Sequence, residues 1–187
     1  MLDVLRPGVL DGLTACVCGD GAVERERLVA LGARVVTVEG DLADEDAVAA
    51  AIGALGPIDV LVVDAASAFA AAGGGVPGLR VAVDDAWNVV RAVAVASWIE
   101  ADREGGKAIL VAPGADAGEH ADAVGAALEN AARTLSVEWA RFGIRTTAIR
   151  PRAGATGDQR AELVAFLASR AGDYFTGCAF APGTVAP

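Results

Sequence analysis

Apolar positions along the 187-residue chain fall into short β-branched runs that alternate with longer stretches of helical spacing. Thr14–Cys18 reads as a buried strand ending at Gly19, and Val23 to Leu31 as a helix closed by Gly32. Arg34–Val38 is β-branched and reads as the next strand. Asp44 stands at a cap position, with Glu45 and Asp46 placed favourably against the helix dipole, and Gly56-Pro57 stops that helix. Ile58–Val63 is a third strand. Ala70 to Gly78, with its run Gly73-Gly74-Gly75, reads as a loop. A helix over about 84–101 carries Trp87, Val90, Ala94 and Trp98 on one face; another over about 122–142 carries Leu128, Ala131, Leu135 and Trp139. Lys107–Ala112, Arg145–Ile149 and Gly177–Phe180 are the remaining strands, and Asp158 caps a helix that reaches Ser169. Strands separated by helices imply a parallel sheet covered on both faces.

Length is consistent with one domain over 1–187 and a full hydrophobic core. No uncharged apolar run approaches the roughly 18 residues of a membrane span, and the N-terminus lacks the basic-then-apolar layout of a signal peptide. No membrane association and a cytoplasmic location are therefore expected. The net charge of −10 argues against nucleic acid as a partner. A local group of arginines, Arg141, Arg145, Arg150 and Arg152, reads as a solvated helix end followed by a strand.

Cys16 and Cys18 share one face of their strand, and Cys178 lies far along the chain. His120 is the sole histidine, too little for a metal site with these thiols. A redox pair is the alternative to buried reduced thiols.

The segment from Ala126 to Pro151, with Asn130-Ala131-Ala132 on the helix and Arg150-Pro151 after the strand, closely resembles one stretch of the short-chain dehydrogenase/reductases. The resemblance implies an α/β, Rossmann-like, doubly wound three-layer sandwich with a mostly parallel sheet of about six strands. It also implies NAD(P) as a cofactor to be considered, and a Tyr-x-x-x-Lys pair on the same helix. In that family the tyrosine moves a proton during hydride transfer, while the lysine lowers its pKa and holds the nicotinamide ribose. Alignment places Ala121 at the tyrosine position and Gly125 at the lysine position, and neither can transfer a proton. The chain's sole lysine, Lys107, and sole tyrosine, Tyr174, lie elsewhere and lack the i, i+4 spacing of a relocated pair.

Other family positions carry over unevenly. Gly19 matches the first glycine of the phosphate loop. Asp20 and Gly21 follow, after a deletion of about four residues that removes the later glycines. Asp20 and Glu24 would add negative charge where phosphate sits; a plain tight turn is the alternative. Glu39 corresponds to the acid that holds an adenosine ribose, and Asp41 and Leu42 to the pair touching adenine. The alternative for these acids is an ordinary solvated surface. Asp64 and Ala65 keep part of the Asn-Asn-Ala-Gly shape. The family serine after Lys107-Ala108-Ile109-Leu110-Val111 is absent. The family's structural asparagine on the preceding helix has Asp84, Asp85 and Asn88 as candidates, and the substrate lid after Pro151 is reduced.

Because a scaffold is kept where a site is lost, the leading expectation is a catalytically degenerate, non-catalytic structural or regulatory subunit. It would need no cofactor and would form a homo- or hetero-oligomer with a full-length dehydrogenase through the helices at about 84–101 and 122–142. Trp87, Trp98, Leu128, Leu135 and Trp139 are its candidate interface residues, or else they pack only on their own sheet. One alternative is an NAD(P)-dependent oxidoreductase using other residues, with His120 the acid-base candidate beside Glu119 and Asp122. The other is a nucleotide or metabolite binding module built on Glu39, Asp41 and Asp64.

Overall fold

The computed structural model describes residues 5–38, 40–101 and 105–183. Its strands are β1 Thr14–Cys18, β2 Arg34–Thr37, β3 Val60–Asp64, β4 Gly106–Val111, β5 Ile144–Ile149 and β6 Cys178–Phe180. They pair in parallel in the order β2-β1-β3-β4-β5-β6. The helices are α1 Ala22–Ala30, α2 Glu45–Leu55, α3 Ala65–Ala71, α4 Gly75–Val93, α5 Ala121–Glu138 and α6 Gly157–Ala168. Alternation along the strands sends Cys16, Leu61, Val63 and Leu110 into the layer with Ile52, Val89 and Leu128. Val17, Val62, Ile109 and Val111 face the opposite layer, with Leu28 of α1 and Val164 of α6. Burial on both faces explains why these strands are near-continuous apolar runs, and it produces the expected three-layer sandwich.

From β1 the chain moves outward to β2, then returns to β3 on the other side of β1. That reversal opens a crevice over the carboxyl ends of β1 and β3, the place where such sheets bind ligands.

Three local expectations are corrected. Ala70 to Gly78 is not one loop: α3 ends at Ala71 and α4 starts at Gly75, well before 84. Asp64 caps α3, and Pro77 sits in the first turn of α4, where its missing N–H is no loss. The break is confined to Ala72–Gly74, where Gly73 and Gly74 take φ of 82° and 70°.

At its far end α4 passes into a π-helical turn, Ala94–Ile99. The wider turn directs Trp98 inward. Its side chain is 1% exposed and its Nε1 donates to the Ile58 carbonyl at 2.7 Å, while Ser97 Oγ accepts from the Ile58 N–H at 3.3 Å. Trp98 is therefore buried with Val90 and Ala94, and Trp87 does not share their face. The cap of α6 is Thr156 in place of Asp158: Thr156 Oγ1 accepts from the Gln159 N–H at 3.2 Å, and Gln159 Oε1 accepts from the Thr156 N–H at 3.1 Å. Asp158 falls in the first turn of the helix.

Lys107 is used structurally. Its Nζ donates to the carbonyls of Leu167 and Ala168 at 3.1 and 3.0 Å and pairs with Asp173 at 2.7 Å, satisfying the exposed end of α6.

Candidate functional site at the carboxyl ends of the strands

β1 ends in the turn Gly19-Asp20-Gly21, which leads directly into α1. β3 ends at Asp64, which leads directly into α3. The two turns face one another, and a single carboxylate joins them. Asp64 Oδ2 accepts from the Gly21 N–H at 3.0 Å, and Oδ1 accepts from the Ser67 N–H at 3.3 Å. Ser67 Oγ accepts from the Asp20 N–H at 3.1 Å and donates to the Asp64 carbonyl at 2.8 Å. Asp64 is 7% exposed and Ala65 1%. Gly19 has φ of 90°, and a Cβ there would stand 2.5 Å from Ser67 Oγ, so only glycine permits this approach. Glu24, in the first turn of α1, is 1% exposed and bound to Arg160 of α6. Burial alone lowers the Arg160 pKa, but its bond to and charge pairing with Glu24, with Asp64 adding, raise it overall.

Ala121 opens α5 and is fully buried. Gly125, one turn on, is also buried, and the space beside it holds the Arg150 side chain: a Cβ on Gly125 would stand 2.8 Å from Arg150 Nε. Arg150 follows β5 and is clamped on both sides, Nη1 to Glu129 Oε2 at 2.6 Å and Nη2 to Asp122 Oδ1 at 3.0 Å. The bond to Arg150 lowers the Glu129 pKa, and the same bond raises that of Arg150. An adjoining cavity of about 220 Å³ is lined by Pro113, Ala121, Asp122, Arg150, Arg152 and Phe180 among others, with no tyrosine, serine, lysine, histidine or cysteine on its wall among the described residues. His120 precedes α5 with φ of 69° and contacts Glu119 at 3.5 Å; it does not line the cavity.

The other described sequence candidates lie between β2 and α2 and on α4. Asp41 is exposed and accepts from the Ala43 N–H at 3.0 Å. Leu42 is half-buried, and its carbonyl accepts from Asn88 Nδ2 at 2.9 Å. Of the three candidates for a structural side chain on α4, Asn88 is thus the one that ties the helix to this loop. Asp85 is half-buried; burial first, then the charges of Asp41 and Asp84, raise its pKa. Glu39 lies outside the described residues. The four arginines singled out in the sequence do not gather. Arg141 lies over the Phe142 ring, and Arg145 donates to the Asp173 carbonyl at the amino end of β5, opposite Arg150.

Sequence reasoning missed Ser67 and the Glu24–Arg160 pair. Asp64-x-x-Ser67 has the spacing of a helix cap and its recipient, a readable signal. Glu24 and Arg160 are 136 residues apart, and no local pattern joins them. Burial pushes the thiols of Cys16 and Cys18 up to about 12. Among the described residues, no three His, Cys, Asp or Glu side chains are placed to hold a metal ion, and no helix is long and apolar enough to cross a membrane.

No protein-family model matches the sequence, and no curated protein matches it significantly. Solved structures do. BdcA from Escherichia coli is 23% identical with a TM-score of 0.75, over 93% of this chain and 100% of BdcA. The citronellol catabolism dehydrogenase AtuB of Pseudomonas aeruginosa is 24% identical with a TM-score of 0.73, over 96% of each chain. BdcA in complex with NADPH is 20% identical with a TM-score of 0.74, over 96% of this chain and 98% of that one. The chain has the Rossmann-like α/β fold of the short-chain dehydrogenase/reductases.

Proposed function

We propose that this chain is a non-catalytic member of the dehydrogenase fold, a structural or regulatory subunit that assembles with a complete dehydrogenase. What supports the reading is the pair Ala121 and Gly125, which the resemblance aligns with the family's tyrosine and lysine. Ala121 and Gly125 offer no proton, and the space at Gly125 is taken by Arg150, whose charge is matched by Asp122 and Glu129. A guanidinium held charged by two carboxylates does not act as a general acid or base at neutral pH.

The assembly surface in this reading is the outer face of α4 and α5. A cleft of about 200 Å³ between them is lined by Val83, Trp87, Val90, Ala127, Ala131 and Leu135, nearly all apolar. Trp87 is 45% exposed, with Val76 at 62% on α4 and Val137 at 76% on α5. Apolar side chains exposed beside an apolar cleft support a protein contact on this face. Trp98, Leu128 and Leu135 are buried against the chain's own sheet, so they support the face from below and Trp87 is its anchor.

The test is a hydride-transfer assay of the purified chain with NADH and NADPH against aldehydes and ketones, and with the oxidised cofactors against alcohols. No turnover above a heat-treated control is expected. Turnover lost on Asp122→Asn or His120→Ala would instead make the chain an oxidoreductase using other residues.

A further inference from the structure

We infer that the chain supplies its own anion to the phosphate loop: the Asp64 carboxylate sits against the amides that would hold a cofactor phosphate, and it closes the loop to NAD(P). A dinucleotide on this fold needs free N–H groups at the turn after β1 and the start of α1. Here the Gly21 N–H is engaged by Asp64 Oδ2 and the Asp20 N–H by Ser67 Oγ. The same carboxylate takes the Ser67 N–H at the start of α3. Two helix N-termini thus aim at one buried charge, which is the arrangement that stabilises a phosphate when one is bound.

Three further observations oppose a dinucleotide. The turns are in contact, since a Cβ on Gly19 would lie 2.5 Å from Ser67 Oγ and 2.8 Å from the Asp64 carbonyl oxygen. Glu24 Oε2 is buried with no hydrogen-bond partner among the described residues, and it lies 3.9 Å from where a Gly21 Cβ would be. A carboxylate oxygen in that position favours a donor and repels a phosphate. The nearby cations are engaged: Arg160 holds Glu24, and Arg25 Nη1 donates to the Gly19 carbonyl at 3.3 Å. The residues present do not fit the cofactor that the fold implies. This stands apart from the subunit reading, because a chain without turnover can still hold a dinucleotide.

The experiment is residue-resolved amide exchange of the full chain, with and without millimolar NADH or NADPH, alongside the thermal midpoint. In the unsubstituted protein the Gly21 amide is protected, and neither dinucleotide changes its exchange or the midpoint. Asp64→Asn places a donor or a weaker acceptor against Gly21 and speeds its exchange about tenfold or more, the loss expected for a bond to a charged group. Should Asp64→Asn fail to fold, Ser67→Ala keeps the carboxylate, and accelerated exchange at Asp20 is then expected. Dinucleotide-dependent protection of Gly21 in the unsubstituted chain overturns the inference, and so does unchanged Gly21 exchange in a folded Asp64→Asn protein. Binding without turnover would overturn this inference alone; failure to find a partner subunit would touch only the previous one.

Discussion

The Arg150 side chain runs past the bare Cα of Gly125, with its Nε 2.8 Å from where a Cβ would begin. Glycine in a helix interior ordinarily weakens it, by roughly 1 kcal/mol relative to alanine. Here that weakness permits a strand-to-helix clamp, Arg150 to Glu129 and Asp122. Gly125→Ala should therefore destabilise the protein, by about 1–3 kcal/mol as in other overpacked sites, despite its better helix propensity. In an Arg150→Ala background the same change should be neutral or stabilising. Chemical denaturation of the four proteins in this cycle measures the coupling, and additivity within about 0.5 kcal/mol would show that the two positions are independent.

Thiol reactivity should separate the three cysteines. Cys16 and Cys18 are buried with pKa values near 12, so at neutral pH neither is a thiolate. Cys178 is half-buried near the edge of the sheet. A disulfide reagent should label Cys178 alone in the native protein and all three after denaturation. Rapid native labelling of Cys16 or Cys18 would favour the redox reading of that pair.

Asp85 sets a pH dependence with a definite sign. Burial, Asp41 and Asp84 raise its pKa in the folded chain, so the native state binds more protons than the unfolded state between the ordinary carboxylate pKa and the raised one. Its contribution is present at low pH and is lost as pH rises through the folded-state value. Asp85→Asn should remove that part of the slope and leave the variant the more stable at neutral pH. Urea unfolding across a pH series reads this directly, and parallel curves for the two proteins would contradict it.

Lys107 should behave as a structural group. Lys107→Met keeps much of the aliphatic stem but leaves the last carbonyls of α6 and the Asp173 carboxylate without their donor. A loss of about 1–3 kcal/mol is expected in thermal or chemical unfolding, with α6 the first segment to gain exchange. A variant as stable as the parent would mean that water replaces the ammonium at no cost.

The sheet was legible because its strands are buried on both faces: Thr14–Cys18 and Val60–Asp64 are unbroken runs bounded by glycine, proline or a cap. Asp44 was legible as a cap because an acidic first turn follows it. The segment around Gly73–Gly75 misled because a glycine run signals a loop, while Pro77 and the Asp64 cap signal helices on either side. The Thr156–Gln159 capping box was in the sequence, but the acidic Asp158 between them drew the assignment. The inward turn of Trp98 had no local signal, since the π-helical turn serves contacts with Ile58 forty residues away. At the site, Ala121 and Gly125 could be singled out through the family resemblance. What packs beside Gly125 could not: Arg150 reaches it only through the pairing of β4 with β5 and the packing of α5 upon it.

Native mass spectrometry of the tagged chain isolated from its own cells, beside a Trp87→Glu variant, tests the central claim most directly. The account predicts a stoichiometric complex with a longer chain carrying a Tyr-x-x-x-Lys pair, lost in Trp87→Glu while the monomer stays folded. Recovery of this chain only as a homo-oligomer or monomer, or turnover of NADH or NADPH by the isolated chain, would contradict it.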